Sequence, residues 1–299
     1  MKTEDTLITD LICINTAKNA YGIRRLEQEA KKRNLNFRNV NINEILQVFK
    51  EDELLDNFSS LNFETTAVIP RNCFKKNVYD SFLFLEILER FHKAGAKVLN
   101  YSSFKEYPFI HDKLNQTFFF SNNDFQYITP TFFVRDSNNL DSIIKNIPII
   151  VKPRISSHGS GIVLIEDKSQ LIEFSKTVNL SEFIFQKFIP NTYDLRVITT
   201  QNRILGVMKR SRTSGLVNNY SAGSTIASYS FKDSFWINEC KRLCKVLNAS
   251  YVGIDLIFDN DDNDFKILEI NRFCEYKGLE KVTNINFAEF LIKSTLNSK

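Results

Sequence analysis

Through the first hundred residues, short apolar runs alternate with longer stretches in which apolar residues recur every three or four positions. Leu7–Asn15 holds the continuous apolar run Leu11–Ile14 and reads as a buried strand. Asn19–Asn34 reads as an amphipathic helix with Ile23, Leu26 and Ala30 facing inward. Asn36–Ile42 alternates through Phe37, Val40 and Ile42, which predicts a second strand, and Glu44–Leu55 predicts a helix. Thr66–Pro70 is a third strand ending at Arg71, Val78–Ala94 a helix closed by Gly95, and Ala96–Leu99 a fourth strand. Strands that alternate with helices predict a parallel α/β sheet.

Past residue 100 the pattern shifts toward short strands joined by turns. A helix opens at Asp112-Lys113 and runs to Asn122; extended residues follow at Thr131–Val134, then a short helix at Leu140–Lys145. Ile149–Val151 and Ile162–Ile165 predict a hairpin, with Ser169–Thr177 as the next helix. Phe183–Ile189 is a strand, and Leu195–Thr200 with Arg203–Lys209 a hairpin; Arg210–Ser224 is a polar loop. Phe235–Leu247 is a helix, Tyr251–Phe258 and Phe265–Ile270 are strands about an acidic turn, and Asn286–Lys293 is a helix.

Composition narrows the class. At 43% apolar and 25% charged, the 299 residues can fill a sizeable core, and disorder is excluded as the dominant state. A net charge of +4 is too small for a dedicated nucleic-acid binder, so no DNA partner is expected. The five cysteines form no CxxC pair, which argues against a zinc cage or a disulfide framework. The start, MKTEDTLITD, lacks a secretory pattern, and no apolar run is long enough for a bilayer, so a cytoplasmic protein is expected.

The chemistry gathers at four places. In the hairpin, Lys152 ends the first strand and Ser156, Ser157, Gly159, Ser160 and Gly161 make the turn. Small residues let backbone amides approach an anion, and the lysine adds charge; a surface hairpin with a solvated lysine is the plain alternative. No Gly-Lys-Ser/Thr opens a helix, so this is not a P-loop, and no GxGxxG follows the first strand. Asp255 lies in the apolar strand VGIDLIF, while Glu269 and Asn271 flank Ile270 and share a strand face. If Asp255 sits opposite Glu269, three hard oxygen ligands suited to Mg2+ converge; pairing of the acids with lysines or arginines is the alternative. Gln186-Lys187-Phe188-Ile189 can offer backbone groups to a purine edge, and Asp194 can accept from ribose hydroxyls. Lys209, Arg210 and Arg212 can hold phosphate or a carboxylate, or form a solvated basic face. Arg71, just past a strand's C-terminal end, stands where open sheets bind ligands, or serves as a cap or ion-pair partner.

Taken in order, these pieces resemble the ATP-grasp carboxylate–amine ligases over nearly the whole chain. The residues that carry the resemblance are Asp112-Lys113, KPRISSHGSGI, Gln186–Ile189, DLRV at Asp194–Val197, Lys209-Arg210, Asn219 to Gly223, GIDLI at Gly253–Ile257 and Glu269-Ile270-Asn271. The likeness is strongest to the RimK-type branch, the ribosomal-protein glutamate ligases and their relatives. The tail EINRFCEYKGLEKVTNINFAEFLI is similar to that of the LysX-type carrier-protein ligases. Ser156 departs from the family's first loop glycine, and Gly223-Ser224 replaces a common Gly-Gly. The resemblance implies an ATP-grasp fold of mixed α/β and α+β class: a Rossmann-like domain over 1–100, a lid over 101–182 and a metal-binding subdomain over 183–299.

It also implies ATP and Mg2+, two ions with Mn2+ able to substitute, and amide formation through an acylphosphate. Lys113 and Lys152 would hold phosphates, and the amides of 157–161 would cap the transferring group. Asp255, Glu269 and Asn271 would bind metal, and Arg196, Arg210 and Asn219 would face phosphate or acylphosphate. The substrates implied are an amino acid and a carboxylate-bearing peptide, carrier protein or metabolite, acted on by a homo-oligomer. Glu275 and Arg212, in segments that follow site strands, are placed on the ammonium and carboxylate of the incoming amino acid, with solvated surface charges as the alternative. Three rival functions stand beside this: an enzyme of the same fold that cyclises a ribosomal peptide, a non-catalytic nucleotide sensor, and a nucleic-acid binder.

Overall fold

The computed structural model describes residues 7–16, 20–42, 58, 60–71, 78–156, 159–211 and 224–298. The expected helix Glu44–Leu55, and Ser157, Arg212, Asn219 and Gly223, lie outside the described residues.

Strands β1 (Asp10–Asn15), β2 (Asn36–Asn41), β3 (Thr66–Pro70) and β4 (Lys97–Val98) form a parallel sheet in the order β2-β1-β3-β4. β1 is buried at every position because both its faces are covered. Leu11 and Cys13 pack toward the helices Tyr21–Lys32 and Phe287–Leu296, while Ile12 and Ile14 pack against the helix Val78–Lys93. The C-terminal edge of this sheet presents Asn15 and Arg71.

A second sheet is antiparallel, ordered β5-β8-β6-β7, from Thr131–Phe132, Phe183–Lys187, Ile149–Pro153 and Val163–Ile165. The sequence groups Phe183–Lys187 with the C-terminal segment; in the fold it is an inner strand of this lid sheet, between β5 and β6. Its apolar positions complete the small lid core around Ile143, Val151, Leu171 and Phe185.

The third sheet is antiparallel with order β11-β10-β9-β12-β13, from Thr225–Ser228, Ile204–Ser211, Tyr193–Thr199, Val252–Asp259 and Asp264–Asn271. Period-two alternation divides its faces. Leu195, Val197, Ile254 and Leu256 pack on Trp236, Cys240 and Leu243 of the helix Ser234–Val246. The opposite face carries Asp194, Arg196, Arg210, Asp255 and Glu269 at one end. At its other end Ile198 and Met208 join the core shared with the N-terminal domain. The short strand Thr225–Ser228 and the helices Tyr101–Glu106 and Lys277–Thr283 are elements the sequence pattern does not announce. No described helix is long and apolar enough to cross a membrane.

Candidate active site

The polar face of the third sheet is built by register. Asp255 pairs with Arg196 on one side and with Glu269 on the other, and Asp194 pairs with Arg210. The alignment of Asp255 with Glu269 is the condition the sequence reading required. It holds because the register shifts after Asp255 and skips Leu268, a bulge that turns Glu269 onto the polar face.

Asp255 is 4% exposed and is gripped by two arginines. Arg196 donates from Nε to Oδ1 at 2.8 Å and from Nη2 to Oδ2 at 2.7 Å. Arg210 Nη2 lies 3.2 Å from Oδ2, and Arg210 Nε donates to Asp194 Oδ1 at 2.5 Å. Burial alone would raise the Asp255 carboxyl, but Arg196 and Arg210 outweigh it and hold it well below the carboxylate range. Burial pushes Asp194 up to about 6, against the pull of Arg210. The Asp194 carboxylate is engaged by Arg210 through Oδ1, and it is nearly buried. Asp255, in turn, takes the arginine-paired alternative in this structure.

Two lysines enter from outside the sheet. Lys113 begins the helix Lys113–Asn122; its Nζ donates to Ser156 Oγ at 3.1 Å and lies 4.0 Å from Glu269 Oε2. Lys152 comes from β6 of the lid. Burial lowers its ammonium to about 8, Glu269 opposes the shift and Lys113 adds to it. Asn271 Nδ2 donates to Glu269 Oε1 at 3.1 Å, so Glu269 is the meeting point of lid, helix and sheet. Lys113, Lys152, Arg196 and Arg210 thus face Asp194, Asp255 and Glu269, four cations against three carboxylates, which suits an anionic ligand.

The other expected residues are placed as follows. Gly159 and Gly161 take φ of 73° and 76°, and a Cβ on Gly161 would lie 2.7 Å from Pro153 Cγ, so the turn holding Ser160 needs glycine there. Gln186 Nε2 donates to Thr131 Oγ1 at 2.9 Å, while its buried Oε1 has no partner among the described residues. Gln186 lines a small cleft together with Lys113, Thr117 and Leu268. The N–H groups of Lys187 and Phe188 already donate to the carbonyls of Pro130 and Pro148. They are not donors for a purine. The Lys187 ammonium instead reaches Asp261 at 3.3 Å and Asp259 at 3.6 Å. Lys209 is not part of the cluster: it sits on the opposite sheet face, 4.0 Å from the centroid of the Tyr193 ring.

Arg71 and Glu275, 204 residues apart, meet at 3.3 Å. Arg71 is 4% exposed, hydrogen-bonded to the Cys274 carbonyl and 4.8 Å from the Tyr276 ring centroid; Glu275 is half in solvent. Burial pushes the Cys274 thiol up to about 11, with Arg196 and Arg71 both opposing. Sequence reasoning missed Gln116, whose amide donates to the Ile110 and Ile270 carbonyls and accepts from the Ile270 N–H, fixing the strand between Glu269 and Asn271. Its spacing of three from Lys113 on one helix was the available signal.

A profile of the RimK-like ATP-grasp domain matches residues 120–295, more than half of the chain. The chain belongs to the RimK-like ATP-grasp family. Among similar proteins, mouse β-citrylglutamate synthase B is 28% identical over 153 residues, covering 48% of this chain and 38% of that protein. The glutamate–LysW ligase ArgX of Sulfolobus acidocaldarius is 27% identical over 164 residues, 52% of this chain and 57% of its own length. The match thus spans little more than half of these relatives at most. The ATP-grasp ligase PsnB, solved with a phosphomimetic variant of its minimal precursor, Mg and ADP, has the same fold: TM-score 0.69, 14% identity, 97% of this chain and 100% of that one.

Proposed function

We propose that this chain is an ATP-dependent, ADP-forming ligase that joins a carboxylate to the amine of an amino acid. The observation that carries the reading is the convergence of Lys113 and Asn271 on Glu269, opposite the arginine-held Asp255, with Lys152 within electrostatic reach. A cationic cleft between two sheets, with a fixed row of oxygen donors on one wall, matches phosphoryl transfer from a nucleotide to an acid.

The donor set fits Mg2+. Glu269 and Asn271 share a half-buried face, and the Asn271 Oδ1 is left for a cation because its amide N–H points to Glu269. Asp255 uses three of its roughly four lone-pair sites on arginines, leaving one. Mg2+ or Mn2+, as one or two ions, would supply neutralisation of phosphate charge. The unpartnered Gln186 Oε1 fits the amino group of a purine.

In this reading Lys113 and Lys152 bind phosphate oxygens, and the amides of 159–161, with Ser157, close over the transferring group and exclude water. The substrate carboxylate oxygen attacks the γ-phosphorus, ADP leaves, and the amine attacks the acyl carbon and expels phosphate. Arg196 and Arg210 stabilise the charge on the acylphosphate, with Asn219 beside them. Arg71 and Glu275 hold the carboxylate and ammonium of the incoming amino acid, each exchanging its present partner for the substrate, with Arg212 on the same side. The acid, as the glutamate-named relatives suggest, is a small metabolite or the terminus of a peptide or carrier protein.

The test is a screen of amino acids against peptides, carrier proteins and small acids, read by ADP release and by mass spectrometry of the product. A ligated product with ADP and phosphate, dependent on Mg2+, supports the reading. AMP and pyrophosphate as products overturn it.

A further inference from the structure

The lid and the helix Lys113–Asn122 are joined by a set of bonds that phosphate binding itself does not use. Arg154, just past Lys152, donates to the buried Asp112 carboxylate from Nε at 3.1 and 3.2 Å and from Nη2 at 2.5 Å. Its carbonyl accepts the Lys113 N–H at 3.0 Å, its own N–H donates to the Glu182 carbonyl at 2.8 Å, and Nη1 donates to the Ser181 carbonyl at 3.0 Å. Ser156, where the family loop has glycine, accepts from Lys113 Nζ at 3.1 Å, a bond no glycine can make. Asp112 also caps the helix by accepting from the Leu114 N–H.

These contacts answer a physical problem. Lys113 is a like charge near enough to Lys152 to add to the lowering of the Lys152 ammonium, so something else must set their separation. A planar guanidinium fork on a buried carboxylate fixes both distance and angle. We propose that Arg154, with Asp112 and Ser156, is a positioning latch that sets Lys152 of the lid against Lys113 before nucleotide binds. The inference rests on the reading of those lysines as phosphate ligands. Preset cations lower the ordering cost of binding, so the latch acts on nucleotide affinity and leaves the chemical step alone.

The experiment measures binding of a fluorescent ATP analogue and steady-state kinetics for Arg154→Gln, Arg154→Lys, Asp112→Ser, Ser156→Gly and the Asp112→Ser/Arg154→Gln double variant. Serine keeps the helix cap but removes the fork. Arg154→Gln and Asp112→Ser should each weaken nucleotide binding and raise KM for ATP about tenfold, with kcat within about twofold, on the scale of a lost charged hydrogen bond. The double variant should be no worse than either single one, because one bond is being removed. Arg154→Lys should fall between, and Ser156→Gly should cost about threefold for a neutral acceptor. A purely structural role would instead lower the folded fraction, reducing kcat and leaving KM and affinity unchanged; that result overturns the latch. So does additivity of the double variant. Wild-type protein that binds no ATP would overturn the site reading and the latch with it, whereas wild-type binding with unaltered variants overturns the latch alone.

Discussion

Replacing Asp255 with asparagine separates the structural from the catalytic weight of the central acid. The side chain keeps its size and one acceptor oxygen but loses its charge. Asp255 is all but buried, and the Arg196 and Arg210 side chains that hold it are only 15% and 8% exposed, so neither guanidinium can recover its hydration. Breaking one partner of a buried pair costs about 3–5 kcal/mol. Arg210 keeps Asp194, so the lower end applies, about 3 kcal/mol. At roughly 2–4 °C per kcal/mol for a chain of this size, the melting temperature of the ligand-free protein should fall by about 6–12 °C.

Glu269→Gln is the control. Glu269 is more exposed, and its nearest cation is 4.0 Å away, so its loss should cost under about 1 kcal/mol. Both variants should lose turnover, while only Asp255→Asn melts early by differential scanning fluorimetry. The pH sign follows from the depressed carboxyl: the stability Asp255 contributes is complete above the unfolded carboxylate range. It is lost only as pH falls below about 4, through the lower folded value. An Asp255→Asn protein that melts with the wild type at pH 7 would refute the ion-pair argument.

Other outcomes follow from single side chains. Lys152→Ala should weaken ATP binding by about tenfold or more without loss of stability, since desolvation and Lys113 disfavour the charged form of this half-buried ammonium. Because that ammonium loses its proton at about 8, calorimetry without metal should show proton uptake on ATP binding near pH 8–9 and falling affinity above it; Lys152→Ala should show neither. Arg71→Gln and Glu275→Gln should raise KM for the amino acid and spare that for ATP, and equal effects on both substrates would remove the pair from the acceptor pocket. Gly161→Ala should impair turnover, with strain of about 1–3 kcal/mol at a left-handed position already crowded by Pro153; an unchanged rate would show the turn to be uninvolved.

The parallel sheet and the lid hairpin were legible because their patterns are local. β3 runs Thr66–Pro70 and the site helix Lys113–Asn122 as the sequence predicts. Thr225–Ser228 was hidden because it is an edge strand, mostly exposed, with no inward alternation to reveal it. The helix Lys277–Thr283 was hidden by its shortness and by Gly278, where a Cβ would meet Met208 Sδ at 2.6 Å. The pairing of Glu269 with Asp255 could be posed as a question of register. The arginine partners of Asp255 could not, since they depend on which strand lies on its other side. Arg71 and Glu275 were each flagged, but their contact crosses 204 residues and two sheets.

The measurement closest to the central claim follows oxygen. The acid selected by the screen is labelled with 18O in its carboxylate and incubated with ATP, Mg2+ and the amine. If the carboxylate attacks the γ-phosphorus and the amine then expels phosphate, the released phosphate carries one carboxylate oxygen and the nucleotide product is unlabelled ADP. Label appearing in AMP, or phosphate released without label while the amide forms, would contradict the account.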